Sequence, residues 1–466
     1  MPILDDTIAA IATAPGAAGL AVVRASGRDA LAIADAVFRG TAPLAGAAPN
    51  TLHHGWAVWP AADGADAGRL DEVVAAVFRA PHSYTREDVV ELSCHGGRIA
   101  AERVLAAWVR AGARLARPGE FTMRAFLNGR LDLAQAEAVA DLIHAETRAA
   151  HELALGQLAG GLSRRIDALT ERTTEALAEI EARVDFAEDV GGIEVPPRVI
   201  DEIGAIAAGL DDLLAGAPWA RAVREGVRVL LAGRPNVGKS SLFNALLGEE
   251  RAIVTAVPGT TRDLVSERLD VGGVPVTLLD AAGLREGGDA VEAIGIERAR
   301  AALESCPVAL WVVDRSAPLE DEDRWIATRL AGRRVVVALN KSDLGARLAP
   351  ADVLALLNGS AGPAVEVSAT RGDGLEALRA ALAGALGVNG QAGQLGAAVS
   401  NARHVEALER ARAALARAAV AGRTGAPGEI VALELREALL AIGEVTGRTV
   451  GEDLLDRIFS RFCIGK

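Results

Sequence analysis

Gly233-Arg234-Pro235-Asn236-Val237-Gly238-Lys239-Ser240 follows the apolar run Val227–Leu231, and a helical pattern comes after it. Strand, glycine loop and helix in that order are what a phosphate cradle requires. The glycines let backbone N–H groups turn inward toward phosphate oxygens, Lys239 supplies a point charge, and the Ser240 hydroxyl reaches a Mg²⁺ ion. The contacting run is expected to extend from Asn236 through Val237, Gly238, Lys239 and Ser240 to Ser241.

Four further stations follow. Thr255-Ala256-Val257-Pro258-Gly259-Thr260-Thr261 lies between the first helix and the second strand, where a loop can bring the Thr261 hydroxyl to Mg²⁺ when a γ-phosphate is present. Asp280-Ala281-Ala282-Gly283 closes the third strand, with Asp280 set to hold the metal's water shell and the Gly283 N–H to sense the γ-phosphate. Asn340-Lys341-Ser342-Asp343 ends the fifth strand, and a carboxylate there accepts from both N1–H and the exocyclic amine of guanine. Adenine offers no such donor pair, so the pattern selects GTP over ATP. Ser368-Ala369-Thr370 after the last strand completes the base pocket. Any one of these matches is common by chance; all of them in this order, each at a strand end, are not.

The residue after Asp-Ala-Ala-Gly is Leu284, where many small GTPases carry the glutamine that orients water. Two substitutes are available. Asn236, with carbonyls of the loop from Thr255 through Val257 to Thr260, can hold a monovalent cation, K⁺, between the α- and γ-phosphates. Glu292, nine residues past Gly283, can orient or deprotonate water through a bridging water. Taken singly, such an asparagine is more often a plain loop hydrogen-bonder and such a glutamate a solvated helix carboxylate.

At 466 residues with 50% apolar content, the chain exceeds one hydrophobic core and can build two or three. Acids outnumber bases by 62 to 49, and the net charge of −13 opposes a broad, non-specific grip on nucleic acid. Contact with RNA therefore needs a local basic patch or a partner. Cys94, Cys306 and Cys463 show no Cys-x-x-Cys spacing, so neither a disulfide framework nor a zinc site is indicated, and a reducing compartment fits. The first residues carry no basic leader and no stretch reaches the ~18 apolar residues of a membrane span. The expectation is a soluble cytoplasmic protein without a membrane partner.

Working outward, the patterning gives a multidomain α+β and α/β protein. Residues 1–119 mix short β-like runs, including Gly19–Val23, Val73–Phe78 and Val89–Leu92, with a helix over Ile99–Ala111. Residues 120–225 turn to long helical periodicity, and residues 387–466 return to it after a glycine-rich stretch. Between them, residues 226–386 alternate strands and helices in the manner of a doubly covered parallel sheet. Gly272-Gly273 marks a hairpin that makes one edge antiparallel. The simplest assembly inserts the nucleotide domain into a split helical bundle.

With the nucleotide stations included, the chain resembles the MnmE (TrmE) family of tRNA modification GTPases over essentially its whole length. The resemblance rests on Asp6-Thr-Ile-Ala-Ala10, Gly19-Leu-Ala-Val-Val-Arg24, Glu87-Asp-Val-Val-Glu91, His95-Gly-Gly97, Arg117-Pro-Gly-Glu-Phe121, Leu131-Asp-Leu-Ala-Gln-Ala-Glu137 and the terminal Cys463-Ile-Gly-Lys466. It implies an N-terminal domain, 1–119, that binds tetrahydrofolate and dimerises, a helical domain, and an inserted Ras-like G domain. It also implies a homodimer that joins the flavoprotein MnmG in a heterotetramer to build the carboxymethylaminomethyl group on the wobble uridine of tRNA. The one-carbon unit would come from a 5-formyl or 5,10-methylene tetrahydrofolate. Asn236 matches the family's K⁺ ligand and Glu292 its catalytic carboxylate; folate contacts fall on Arg24, Glu91, Arg130 and Lys466, and Cys463 matches a possible catalytic position. Position 130 is commonly Lys in that family, so Arg130 keeps the charge but not the shape. The alternative reading is a regulatory GTPase switch such as a ribosome-assembly factor, which shares the nucleotide stations but has no evident need of the N-terminal and C-terminal motifs.

Overall fold

The computed structural model describes residues 5–60, 68–185, 194–248, 268–280, 306–330, 332–357, 361–387 and 396–465. The chain divides into two compact units: Met1–Ile143 with Gln157–Ala207 and Arg410–Lys466, and His144–Gly156 with Ala208–Glu409.

In the first unit, seven strands among the described residues form one sheet: β1 Ile8–Ile11, β2 Leu20–Ser26, β3 Phe38–Gly40, β4 Thr51–Val58, β5 Arg69–Phe78, β6 Val89–His95 and β7 Arg114–Leu115. Their order is β3-β4-β5-β6-β2-β1-β7, antiparallel throughout except at β1 and β7. Strand alternation decides what each face carries. Val23, Ala25, Val73, Ala75, Val77, Val90 and Leu92 point to the side covered by the helices Ala30–Val37 and Arg98–Arg110, where they bury Ile33, Val37, Val104 and Trp108. Arg24 and Glu91 fall on the opposite alternation and are paired directly across β2 and β6.

The same unit holds long helices. Gly161–Asp185 buries Leu162, Ile166, Leu169 and Ile180 at helical spacing, and Gly428–Thr446 buries Val431, Leu435, Ala438 and Ile442. An ion pair of 2.6 Å between Arg436 and Glu181 joins the two on their exposed side. The helix Glu452–Phe459 meets the helix Glu120–Leu127 through the rings of Phe459 and Phe126, whose centroids lie 6.3 Å apart.

In the second unit, six strands among the described residues form β8 Val227–Ala232, β9 Arg268–Val271, β10 Val274–Asp280, β11 Val308–Asp314, β12 Arg334–Asn340 and β13 Ala361–Glu366, in the order β13-β12-β11-β8-β10-β9. All pairs are parallel except β9 with β10, where Gly272 and Gly273 turn the chain at φ 63° and 91°. Strand β11 is buried along its entire length, as a parallel strand covered on both sides must be. Alternate residues feed two cores. Val229, Leu231, Leu310, Val312 and Val336 pack with Leu242, Leu246, Leu375 and Leu378 on one side. Leu230, Ala309, Trp311, Val313 and Val337 pack with Ile326, Leu330 and Val353 on the other.

Strand β13 begins at Ala361 and so runs through Gly362 and Pro363. Proline is tolerated there because β13 is the sheet's edge, and glycine because a Cβ at position 362 would lie 2.8 Å from the Val335 carbonyl.

Candidate functional site

Strand β8 runs into Gly233, and the helix Lys239–Gly248 leaves the loop, so the glycine-rich segment sits at the carboxyl end of the central strand. The chain continues from β8 to one side of the sheet and returns through β11 on the other, which is where doubly wound sheets open a ligand crevice. The loop's backbone is held in left-handed conformations at Asn236 (φ 62°) and Gly238 (φ 93°). A Cβ on Gly238 would lie 2.3 Å from Asn340 Nδ2, and one on Gly233 2.5 Å from the Val312 carbonyl, so close approach as well as φ demands glycine at both.

Lys239 is almost fully buried, and its ammonium donates to the carbonyls of Gly233 and Arg234 at 2.8 and 2.9 Å, which draws the charge across the loop. Ser240, Ser241 and the Asn236 side chain are exposed, and Val237 is buried beneath them. Arg234 anchors the loop from outside, with Glu320 at 2.5 Å and Asp323 at 3.3 Å.

The segment Asn340–Asp343 is laced to this loop. Asn340 Nδ2 donates to the Val237 carbonyl at 2.8 Å, while its Oδ1 accepts from the Ala369 N–H at 3.1 Å. Lys341, at φ 64°, donates to the Asn236 carbonyl at 2.9 Å and to Asp314 at 2.6 Å. Ser368, fully buried, donates to the exposed Asp343 carboxylate at 2.7 Å and lies 3.1 Å from the Thr370 hydroxyl; the Ser342 N–H donates to the Val367 carbonyl. The Gly233–Ser240 loop, the Asn340–Asp343 segment and the Ser368–Thr370 loop are thereby one hydrogen-bonded assembly.

Asp314 was not among the residues picked out in the sequence. Burial raises its carboxyl, but Lys341 and Ser316 outweigh that and hold it below the usual carboxylate range. The available signal was an acid ending an otherwise all-apolar strand, as Asp280 ends β10. Thr255, Ala256, Val257, Pro258, Gly259, Thr260, Thr261, Ala281, Ala282, Gly283, Glu292 and Lys466 lie outside the described residues, as does the side chain of Asp280.

A second polar cluster sits in the first unit. Arg24 donates to Glu91 Oε1 from Nε at 2.7 Å, and its Nη1 is buried with no hydrogen-bond partner. Its guanidinium stands 5.6 Å from the Tyr84 ring and 5.7 Å from that of Phe121. Arg130 covers Tyr84 at 4.8 Å and donates to its carbonyl at 3.1 Å. Two cations against one ring are favourable because each meets the negative π face. Tyr84, the chain's single tyrosine, is a further residue that spacing did not reveal; burial raises its hydroxyl, which pairs with Thr122 at 2.9 Å. Cys463 is exposed, and its carbonyl accepts from the Gly119 N–H at 3.3 Å.

A six-stranded doubly wound sheet with a phosphate loop on its central strand and an Asn-Lys-x-Asp loop beside it defines a P-loop G domain. Comparison with known proteins extends this to the whole chain. The profile of the MnmE helical domain matches residues 133–463, and that of the GTP-binding protein TrmE N-terminus matches residues 7–130. The chain is 49% identical to the tRNA modification GTPase MnmE of Symbiobacterium thermophilum over 99% of its own length and 100% of that protein. It is 48% identical to the namesake from Moorella thermoacetica and 47% to that from Chloroflexus aurantiacus, each again over 99% of this chain and 100% of the relative. The chain belongs to the tRNA modification GTPase MnmE family.

Proposed function

We propose that this protein hydrolyses GTP and couples turnover to building the carboxymethylaminomethyl group on C5 of the wobble uridine of tRNA. It acts in the cytoplasm as a homodimer, with the flavoprotein MnmG and a tetrahydrofolate derivative as one-carbon donor. The observation that carries the nucleotide half is the assembly in which Ser368 orients Asp343 while Asn340 and Lys341 fasten that segment to the phosphate loop. A carboxylate so fixed accepts from both guanine donors, and a wrong base leaves it unpaired.

The remaining parts follow from chemistry suited to their places. Ser240, exposed in the helix's first turn, with Thr261, would hold Mg²⁺, which neutralises charge on the transferring phosphoryl group. Asn236, with carbonyls of Thr255, Val257 and Thr260, would hold K⁺, which supplies the positive charge an arginine finger provides elsewhere. Lys341 pins the Asn236 backbone, so that side chain starts from a fixed position. Glu292 orients the attacking water in place of the glutamine that Leu284 replaces.

Residues 1–119 are the folate-binding and dimerising domain, 226–386 the G domain, and 120–225 with 387–466 the helical domain. The fit to folate rests on Arg24 Nη1, a buried donor that an acceptor on the ligand would satisfy. Glu91 suits pterin N–H donors, while Arg130 and Lys466 suit the anionic tail. Cys463 stands exposed beside this region. A pure signalling switch gives no role to the cluster of Arg24, Glu91 and Arg130. Nucleoside analysis of tRNA from cells lacking the protein tests the proposal: loss of the modified wobble uridine is expected, and an unaltered nucleoside profile would refute the enzyme reading.

A further inference from the structure

Strand β11 lies between β8 and β12, and its last residue, Asp314, pairs in parallel register with Asn340. That register sets its carboxylate between the loop that follows β8 and the Asn340–Asp343 segment that follows β12. The residue is almost fully buried, and both oxygens are committed. Oδ1 accepts from the Ser316 N–H at 2.9 Å and from the Ser316 hydroxyl at 2.6 Å, which fixes the rotation of the group; Oδ2 takes the Lys341 ammonium at 2.6 Å.

The same ammonium donates to the Asn236 carbonyl at 2.9 Å, and Asn340 Nδ2 donates to the next carbonyl, that of Val237, at 2.8 Å. The peptides of this loop are trans, so a carbonyl and the N–H across its peptide bond point to opposite sides. Two successive carbonyls drawn toward the end of β12 therefore turn the Val237 and Gly238 N–H groups the other way. Val237 is fully buried, yet among the described residues neither N–H has an acceptor. A buried backbone donor without a partner is costly, and successive free donors form the nest that binds an anion. Asn236 and Lys341 both hold left-handed backbones, at φ 62° and 64°, which non-glycine residues keep only where their surroundings impose it.

We infer that Asp314 is a positioning residue for phosphate: by holding the Lys341 ammonium on the Asn236 carbonyl, it keeps the Asn236–Val237 peptide from flipping its oxygen toward the bound anion. This rests on the reading of the loop as a guanine-nucleotide site, and it names the acid on which the loop's free donors depend. Without that carboxylate the partly exposed Lys341 turns to water, and the peptide loses its restraint. A flipped peptide withdraws the Val237 donor and sets a carbonyl oxygen against the phosphate. Both changes weaken phosphate binding and leave the contacts to the base as they were.

The test measures the affinity of the full-length protein for GTP, GDP and GMP, by competition against a fluorescent GDP analogue. The native chain is compared with Asp314→Ala, Asp314→Asn, Lys341→Met and the double variant Asp314→Ala/Lys341→Met. Thermal melting checks each fold, and Asp314→Asn, which keeps an acceptor for Lys341, carries the comparison if alanine lowers the melting temperature. Asp314→Ala is expected to bind GTP and GDP about tenfold more weakly, as loss of one charge-assisted hydrogen bond implies. GMP, which lacks the β-phosphate, should lose less than about threefold. Asparagine should recover part of the loss. The double variant should bind no more weakly than Lys341→Met alone, because the acid acts through the lysine. Unchanged GDP affinity in Asp314→Ala overturns the assignment. So does an equal loss for all three nucleotides, which a purely local role of the Asp314–Ser316 turn would give, and so do additive losses in the double variant. A native chain that bound none of the three would sink the nucleotide-site reading, and this inference with it.

Discussion

At the scale of single residues, the nucleotide site turns on atoms whose freedom is removed by a neighbour. Asp343 is exposed, yet Ser368 beneath it fixes one carboxylate oxygen at 2.7 Å. Replacing Asp343 by Asn exchanges an acceptor pair for one acceptor and one donor. GTP affinity should fall by about 100-fold or more, and xanthosine triphosphate, which offers an acceptor where guanine offers an amine, should bind better than GTP. Competition against a fluorescent GTP analogue measures both, and a retained preference for GTP would show that another group reads the base. The glycines illustrate what sequence conveys at this scale. Gly238 belongs to a legible motif, but its need to be glycine comes from Asn340 Nδ2, about a hundred residues on, which no local pattern reveals.

Among the elements, the buried guanidinium of Arg124 ties the helix Glu120–Leu127 to the entry of β1 and to the loop before β6. It bonds Asp6 at 2.6 Å, Glu120 at 3.2 Å and Glu87 at 3.2 Å, with no exposed surface of its own. Burial pushes the Asp6 and Glu120 carboxyls up, but Arg114 and Arg124 outweigh it and leave both below their ordinary values of 3.8 and 4.5. Folded values that are lowered give stability that is complete above the ordinary carboxylate range and is lost as pH falls through the folded values. Removing Arg124 while keeping its bulk, as in Arg124→Met, leaves buried Glu120 with less compensation and should cost about 3 kcal/mol at neutral pH. Urea melts at neutral pH and at about pH 3 check this: the native chain should lose stability on acidification, and the variant should lose less. An equal loss in both would detach the acid sensitivity from this network. The elements themselves were largely legible, since the strands and helices of the G domain follow apolar runs and glycine breaks. Strands β1, β3, β4 and β7 were not: β1, β3 and β7 are too short to show a period, and β4 opens on Thr51, His53, His54 and Gly55, which break its apolar signal.

For the whole molecule, the missing glutamine at Leu284 sets the outstanding mechanistic question. If K⁺ seated by Asn236 replaces it, GTP turnover in K⁺ should exceed that in Na⁺ by about tenfold or more, and Asn236→Ala should abolish the difference. Steady-state rates at matched ionic strength decide this, and equal rates in the two salts would remove the cation from the mechanism. The sequence by itself determined the G domain, its base preference and the kinship of the two ends of the chain, because phosphate and guanine recognition need particular residue types at short, ordered spacings. Only the tertiary structure decided that Lys341 is shared between Asp314 and the phosphate loop, and that Tyr84 lies against Arg24 and Arg130. Whether a charge is free or spent depends on which carboxylate folding brings within reach, and a linear sequence does not record that distance.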